Sequence, residues 1–179
     1  MNTGQTLLTI GALILLSISV VSTNRNSLQH GAIINQTEIS LYSVSLAQAK
    51  IEEASGKAFD TYSSSDTLDA GAAITSLSQL STTLGPEGGE TYPNFDDIDD
   101  YNYFSGNNPY KFNVPGVDSF RIQTTVFYVD SANPSVAVGT RTWHKRIIVK
   151  VWPTVTPWGD ANPKPDTVTM SYIYSYWCF

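Results

Sequence analysis

Among 179 residues there is a single cysteine, Cys178, so the chain can form no internal disulfide and no cysteine-based zinc site. With no partner thiol in the chain, Cys178 is expected to pack as a small apolar side chain. Histidine is almost as scarce, with only His30 and His144. Nucleophilic hydrolysis needs a base held beside a serine or cysteine, and His30 follows too closely on an apolar run to sit in a cleft. No G-x-S-x-G, H-E-x-x-H, P-loop or G-x-G-x-x-G pattern occurs. Paired carboxylates of a glycosidase leave no spacing signal, but most of the acids here cluster in one loop. The expectation is a protein that is not an enzyme and uses no cofactor. Basic charge is also low, 10 Lys+Arg against 16 Asp+Glu, which argues against a dedicated nucleic-acid partner.

The N-terminus lacks charge altogether: no ionisable side chain precedes Arg25. Leu7 to Ser22 reads LLTIGALILLSISVVS, interrupted only by hydroxyls that can bond back to a helix backbone. A membrane span needs about 20 apolar residues, with about 17 as a lower limit. The run meets that with Asn2 to Thr6 and Thr23 to Asn24 at the interfaces. It can be read as a cleaved secretory signal, with Val20 and Ser22 at the small-residue positions before a cut. It can equally be read as a signal anchor, or as a prepilin segment. Arg25, the nearest cation, lies beyond the run, and the positive-inside rule taken alone would place that end in the cytoplasm.

From about Ser27 to Asp60 there is no proline, and Ile39, Tyr42, Leu46 and Ala49 recur at helical steps ahead of the polar IEEASGKAFD. The expectation is one long helix, with any kink falling between Thr23 and Gly31. Residues 69–84 (DAGAAITSLSQLSTTL) suggest a short helix with Leu77, Leu80 and Leu84 on one face. GPEGGETYP marks a loop.

Residues 94–108 (NFDDIDDYNYFSGNN) place Asp96, Asp97, Asp99 and Asp100 among aromatics. Clustered oxygens suit calcium, but an EF-hand wants glycine at the sixth position, where Tyr101 stands if Asp96 is first. Acidic turns more commonly cap elements or meet basic strands, so no metal is assigned.

Alternation then becomes clear. Phe120, Ile122, Thr124, Val126 and Tyr128 oppose Arg121, Gln123 and Thr125. A turn is expected at residues 130–135, a second strand from about Val138 to Trp152, a proline-rich connection, and a third strand over residues 166–177. Together these read as an antiparallel meander. Arg141, Lys145, Arg146 and Lys150, with Trp143 and His144 between them, could suggest single-stranded nucleic acid. Alternation instead splits that patch, placing Arg141, Trp143 and Lys145 opposite His144, Arg146 and Lys150. Its cations would then offset the acidic loop or keep an edge soluble. The sequon Asn35-Gln36-Thr37 falls in the expected helix and carries no functional reading.

The opening MNTG-QTLLTIGALILLSISVV resembles the start of type IV pilins and pseudopilins. In that family a short leader ends in glycine and an uninterrupted apolar helix begins almost at once. The acidic F-D-D-I-D-D-Y run at residues 95–101 is similar to one in pilin-like proteins of the mannose-sensitive haemagglutinin type. The resemblance implies a cut by prepilin peptidase between Gly4 and Gln5. It implies an exported head, overriding the position of Arg25. It also implies packing in the inner membrane, and later in a filament core, by Leu7, Leu8, Ile10, Leu13, Ile14, Leu15, Leu16 and Ile18. Major pilins carry a glutamate at the fifth mature position, where this chain has Thr9, so a minor, specialised subunit is implied.

The fold expected is α+β and pilin-like: a long N-terminal helix packed against a C-terminal antiparallel meander of three or more strands. Its parts would be a leader over 1–4, a core helix over 5–24, an amphipathic continuation over 25–60, an irregular region over 61–117 and a sheet over 118–179. The rival is a membrane-anchored or secreted β-rich binding module.

Overall fold

With no proline to interrupt it, the N-terminal sequence forms one helix, α1, Thr3–Ser55. The computed structural model describes residues 2–64, 74–154 and 167–176. Helical structure runs through Thr23 to Gly31 without a break. The chain divides into two units, Met1–Ile39 and Ser40–Phe179. The first is helix alone. Its hydroxyls return to their own backbone: Ser17 Oγ donates to the Leu13 carbonyl at 2.8 Å and Thr23 Oγ1 to Ser19 at 2.9 Å. That satisfies polar groups which an apolar setting would otherwise penalise.

In the second unit the last turns of α1 lie under a sheet. Ser43, Ala47, Lys50, Ile51 and Ala54 are buried. The expected stripe was one position off: Tyr42 and Leu46 are half-buried, and Ala49 is exposed. The helix stops at Ser55 instead of Asp60. Gly56 disfavours another turn, and Ala58 then takes up a bridge to the acidic loop, donating to the Asp96 carbonyl and accepting from Ile98 N–H.

The expected short helix over 69–84 reduces, among the described residues, to one 3₁₀ turn at Leu77–Gln79. Residues 65–73 lie outside those described. The Ser/Thr side chains compete for the backbone: Ser76 Oγ accepts from Ser78 N–H, and Gln79 Oε1 accepts from Thr75 and Ser76 N–H. Leu80 is buried, Leu84 half-buried and Leu77 exposed.

Among the described residues the sheet has five strands: β1 (Tyr110–Val114), β2 (Asp118–Asp130), β3 (Asn133–Ala137), β4 (His144–Pro153) and β5 (Val168–Ser175). All pairings are antiparallel, with the order β1-β2-β4-β5 and β3 beside the end of β2. The architecture is therefore α+β, a long helix against an antiparallel sheet, and the five strands fall within the three or more expected. β1 lies in the stretch read as irregular. The expected second strand from Val138 begins only at His144. Before it, Arg141 donates to the carbonyls of Ser78 and Leu80, and the Thr142 hydroxyl donates to Val129, all outside the ladder with β5. The proline-rich connection falls largely outside the described residues, as does Cys178.

Alternation along β2 and β4 is kept. Phe120, Ile122, Thr124, Val126 and Tyr128 turn inward, as do Lys145, Ile147, Val149 and Val151. Aromatics from the loop complete the core, with Phe95 packed edge-on to Tyr101 at 5.4 Å.

Candidate functional site

In the first unit, the eight residues named for core packing are all exposed, from 54% at Ile10 to 75% at Leu8. Spaced at 100° per residue, they surround the helix instead of lining one side, the pattern of a helix meant to be covered all round. The most apolar 18-residue window has mean hydropathy 2.1 and none of it is buried. It is long and apolar enough for a single membrane span, a test that a signal sequence also passes. Gly4 and Gln5 lie exposed in the first turns, and a side chain at Gly4 would meet nothing within 4 Å.

The second unit gathers acids instead. Gly88 and Gly89 have φ of 56° and 92°, a left-handed pair that L side chains adopt at a cost. They fold Glu87 to Glu90 into a tight turn closed by Glu90 N–H on the Glu87 carbonyl at 2.9 Å. Both glutamates thereby approach the loop of Asp96 to Asp100. In that loop the carboxylates organise the backbone: Asp97 Oδ1 accepts from Asp99 and Asp100 N–H, and Asp100 Oδ2 from Asp96 and Asp97 N–H. Asp97 Oδ2 accepts from the Thr61 hydroxyl at 2.8 Å. Oxygens of Glu87, Glu90 and Asp100 lie within 4.8 Å of one another. The same holds for Glu87, Asp97 and Asp99, and for Asp96, Asp97 and Asp100.

One strand cation enters this region. Lys145 Nζ, fully buried, donates to Asp60 Oδ2 at 2.8 Å, Asp99 Oδ1 at 2.5 Å and the Phe59 carbonyl at 2.7 Å. Three donors meet three acceptors, so the ammonium is fully satisfied. Asp60 also caps the 3₁₀ turn at Thr61–Ser63 and accepts from Ser81 N–H. The expected meeting of acidic loop and basic strand is thus made by Lys145 alone. Arg146 turns away to the Pro134 carbonyl and Ser171, and Lys150 is exposed.

Crowded burial acts on the acids. Burial pushes Glu90 up to about 7, with the charges of Asp100 and Asp96 adding to it. Glu87 rises through burial, with the charges of Asp97, Asp100 and Asp60 adding to the rise. Asp100 rises through burial and its neighbour Asp97, although two backbone N–H groups oppose the shift. Burial likewise raises Asp99, which the Lys145 ammonium pulls the other way.

A second buried lysine serves the aromatic side of the core. Lys50 Nζ pairs with Glu53 at 2.6 Å and lies 4.4 Å from the Tyr92 ring centre and 5.2 Å from that of Tyr110. Tyr101 OH donates to the other Glu53 oxygen at 2.9 Å.

Sequence reading grouped the basic residues but did not single out Lys145 as buried. The available signal was its inward place in the β4 alternation, level with Ile147 and Val149. Glu87, Glu90 and Asp60 were read as loop and helix end, since their meeting depends on turns with no periodic signature. No family model, no curated protein and no solved structure matches this chain.

Proposed function

We propose that the chain is a minor subunit of a type IV pilus-like or type II secretion-like filament, first held in the inner membrane and then assembled through its N-terminal helix. The observation that carries this reading is the run from Leu7 to Val21, helical, apolar on every side and uncovered within the chain. Such a surface needs lipid or other helices around it. Lateral packing of like helices would exchange the first for the second at little cost. The α+β class of the second unit is in keeping with the reading. The partners are other pilin-like subunits, prepilin peptidase and the membrane.

Thr9 stands where major pilins have glutamate, in keeping with a minor subunit. No cation stands among the three residues before Gly4, a departure from the prepilin pattern that favours a second reading, a single-pass anchor that presents the head as a binding module. Gly4→Val separates the two. In the filament reading it blocks processing and keeps the chain out of sheared filaments. Processing and fractionation unchanged by the substitution would overturn that reading.

A further inference from the structure

We propose that Glu87, Glu90 and Asp100, with Asp96 beside them, bind one calcium ion. Four carboxylate oxygens here have no partner among the described residues. Glu87 Oε2, Glu90 Oε2, Asp96 Oδ1 and Asp100 Oδ1 are each shut off from solvent, and no hydrogen-bond donor among the described residues reaches them. Asp100 as a whole is fully buried, its other oxygen spent on two backbone N–H groups. An unpaired buried carboxylate oxygen is costly, and native structures rarely leave several together.

Nor does a cation among the described residues answer them. The ion pairs found among the described residues are Lys50 with Glu53, and Lys145 with Asp60 and Asp99. Lys145 has its three donors committed, so no ion pair among the described residues reaches Glu87, Glu90, Asp96 or Asp100. Oxygens of Glu87, Glu90 and Asp100 within 4.8 Å of one another suit one shared ion, because ligands facing each other across Ca²⁺ stand about 4.6–5.2 Å apart. All-carboxylate oxygen sets suit hard cations, and Ca²⁺ sheds water more readily than Mg²⁺ and accepts less regular geometry. The glycine pair at 88 and 89 gives the site its shape, holding two glutamates three residues apart against Asp100.

The site lies wholly within the second unit and does not depend on how the N-terminal helix is used. Its test is calorimetric titration of Ca²⁺ into the full chain in mild detergent after stripping with EGTA, repeated for Glu87→Gln, Glu90→Gln and the exposed-acid control Glu52→Gln. Asp100→Asn is avoided because Asp100 also holds the loop backbone. The expected result is one saturable site per chain, weakened by about tenfold or more in each of the first two variants, since ligand charge sets affinity. Glu52→Gln should bind as the parent does. Absence of binding at millimolar Ca²⁺ would overturn the proposal, as would binding indifferent to Glu87→Gln and Glu90→Gln. Equal competition by Mg²⁺ would overturn the assignment to calcium.

Discussion

The Lys145 ammonium donates to Asp60 at 2.8 Å, joining β4 to the segment that follows the long helix. Asp99 takes a second donor from the same nitrogen, so three distant parts of the sequence meet on one buried charge. Lys145→Met keeps the volume and removes the charge, leaving Asp60 and Asp99 buried without their cation. The expected loss is about 3–5 kcal/mol of head stability, because breaking one side of a buried pair strands the other. Urea denaturation followed by tryptophan fluorescence reads it. Lys145→Met with Asp99→Asn should recover part of the loss, and a midpoint equal to the parent's would reject the role given to Lys145.

The register of α1 against the sheet can be tested by volume. Ala47 and Ala54 have no exposed surface, whereas Ala49 points outward. Ala54→Leu should cost about 1–3 kcal/mol through overpacking. Ala49→Leu should stay within about 0.5 kcal/mol of the parent, as surface changes usually do. The two denaturation midpoints settle which face is inside.

Acid should stabilise the head when divalent cations are removed. Glu90 titrates at about 7 in the folded chain against 4.5 for a free side chain. The folded state therefore holds more protons between these values, and the contribution of Glu90 makes stability fall as pH rises from 4.5 to about 7. Glu87 and Asp100 shift in the same direction. In EGTA, thermal midpoints measured across that window should decline with pH, and Glu90→Gln should flatten the slope. A midpoint that rises through the window would contradict the crowding described here.

Much of the head was legible because strands alternate. The inward set on β2, from Phe120 to Tyr128, follows directly from the period of two, and the same rule separates Lys145 from Arg146. What stayed hidden depended on contacts far apart in sequence. β1 carries an alternating signal of its own, Tyr110, Phe112 and Val114 against Lys111 and Asn113, but five residues make a short run beside the break at Pro115 and Gly116. Ser43 and Ala47 are too small to read as a helix face, yet both are buried. The acidic loop was visible as composition. Its meeting with Glu87 and Glu90 depended on a glycine turn that sequence reading registers only as a break.

The N-terminal sequence of the protein recovered from membranes or sheared filaments tests the account most directly. Retention of the apolar run for subunit packing predicts a mature chain starting at Gln5, with Leu7 to Val21 intact. A soluble exported form starting near Thr23 would contradict it, and so would a membrane form that still begins at Met1.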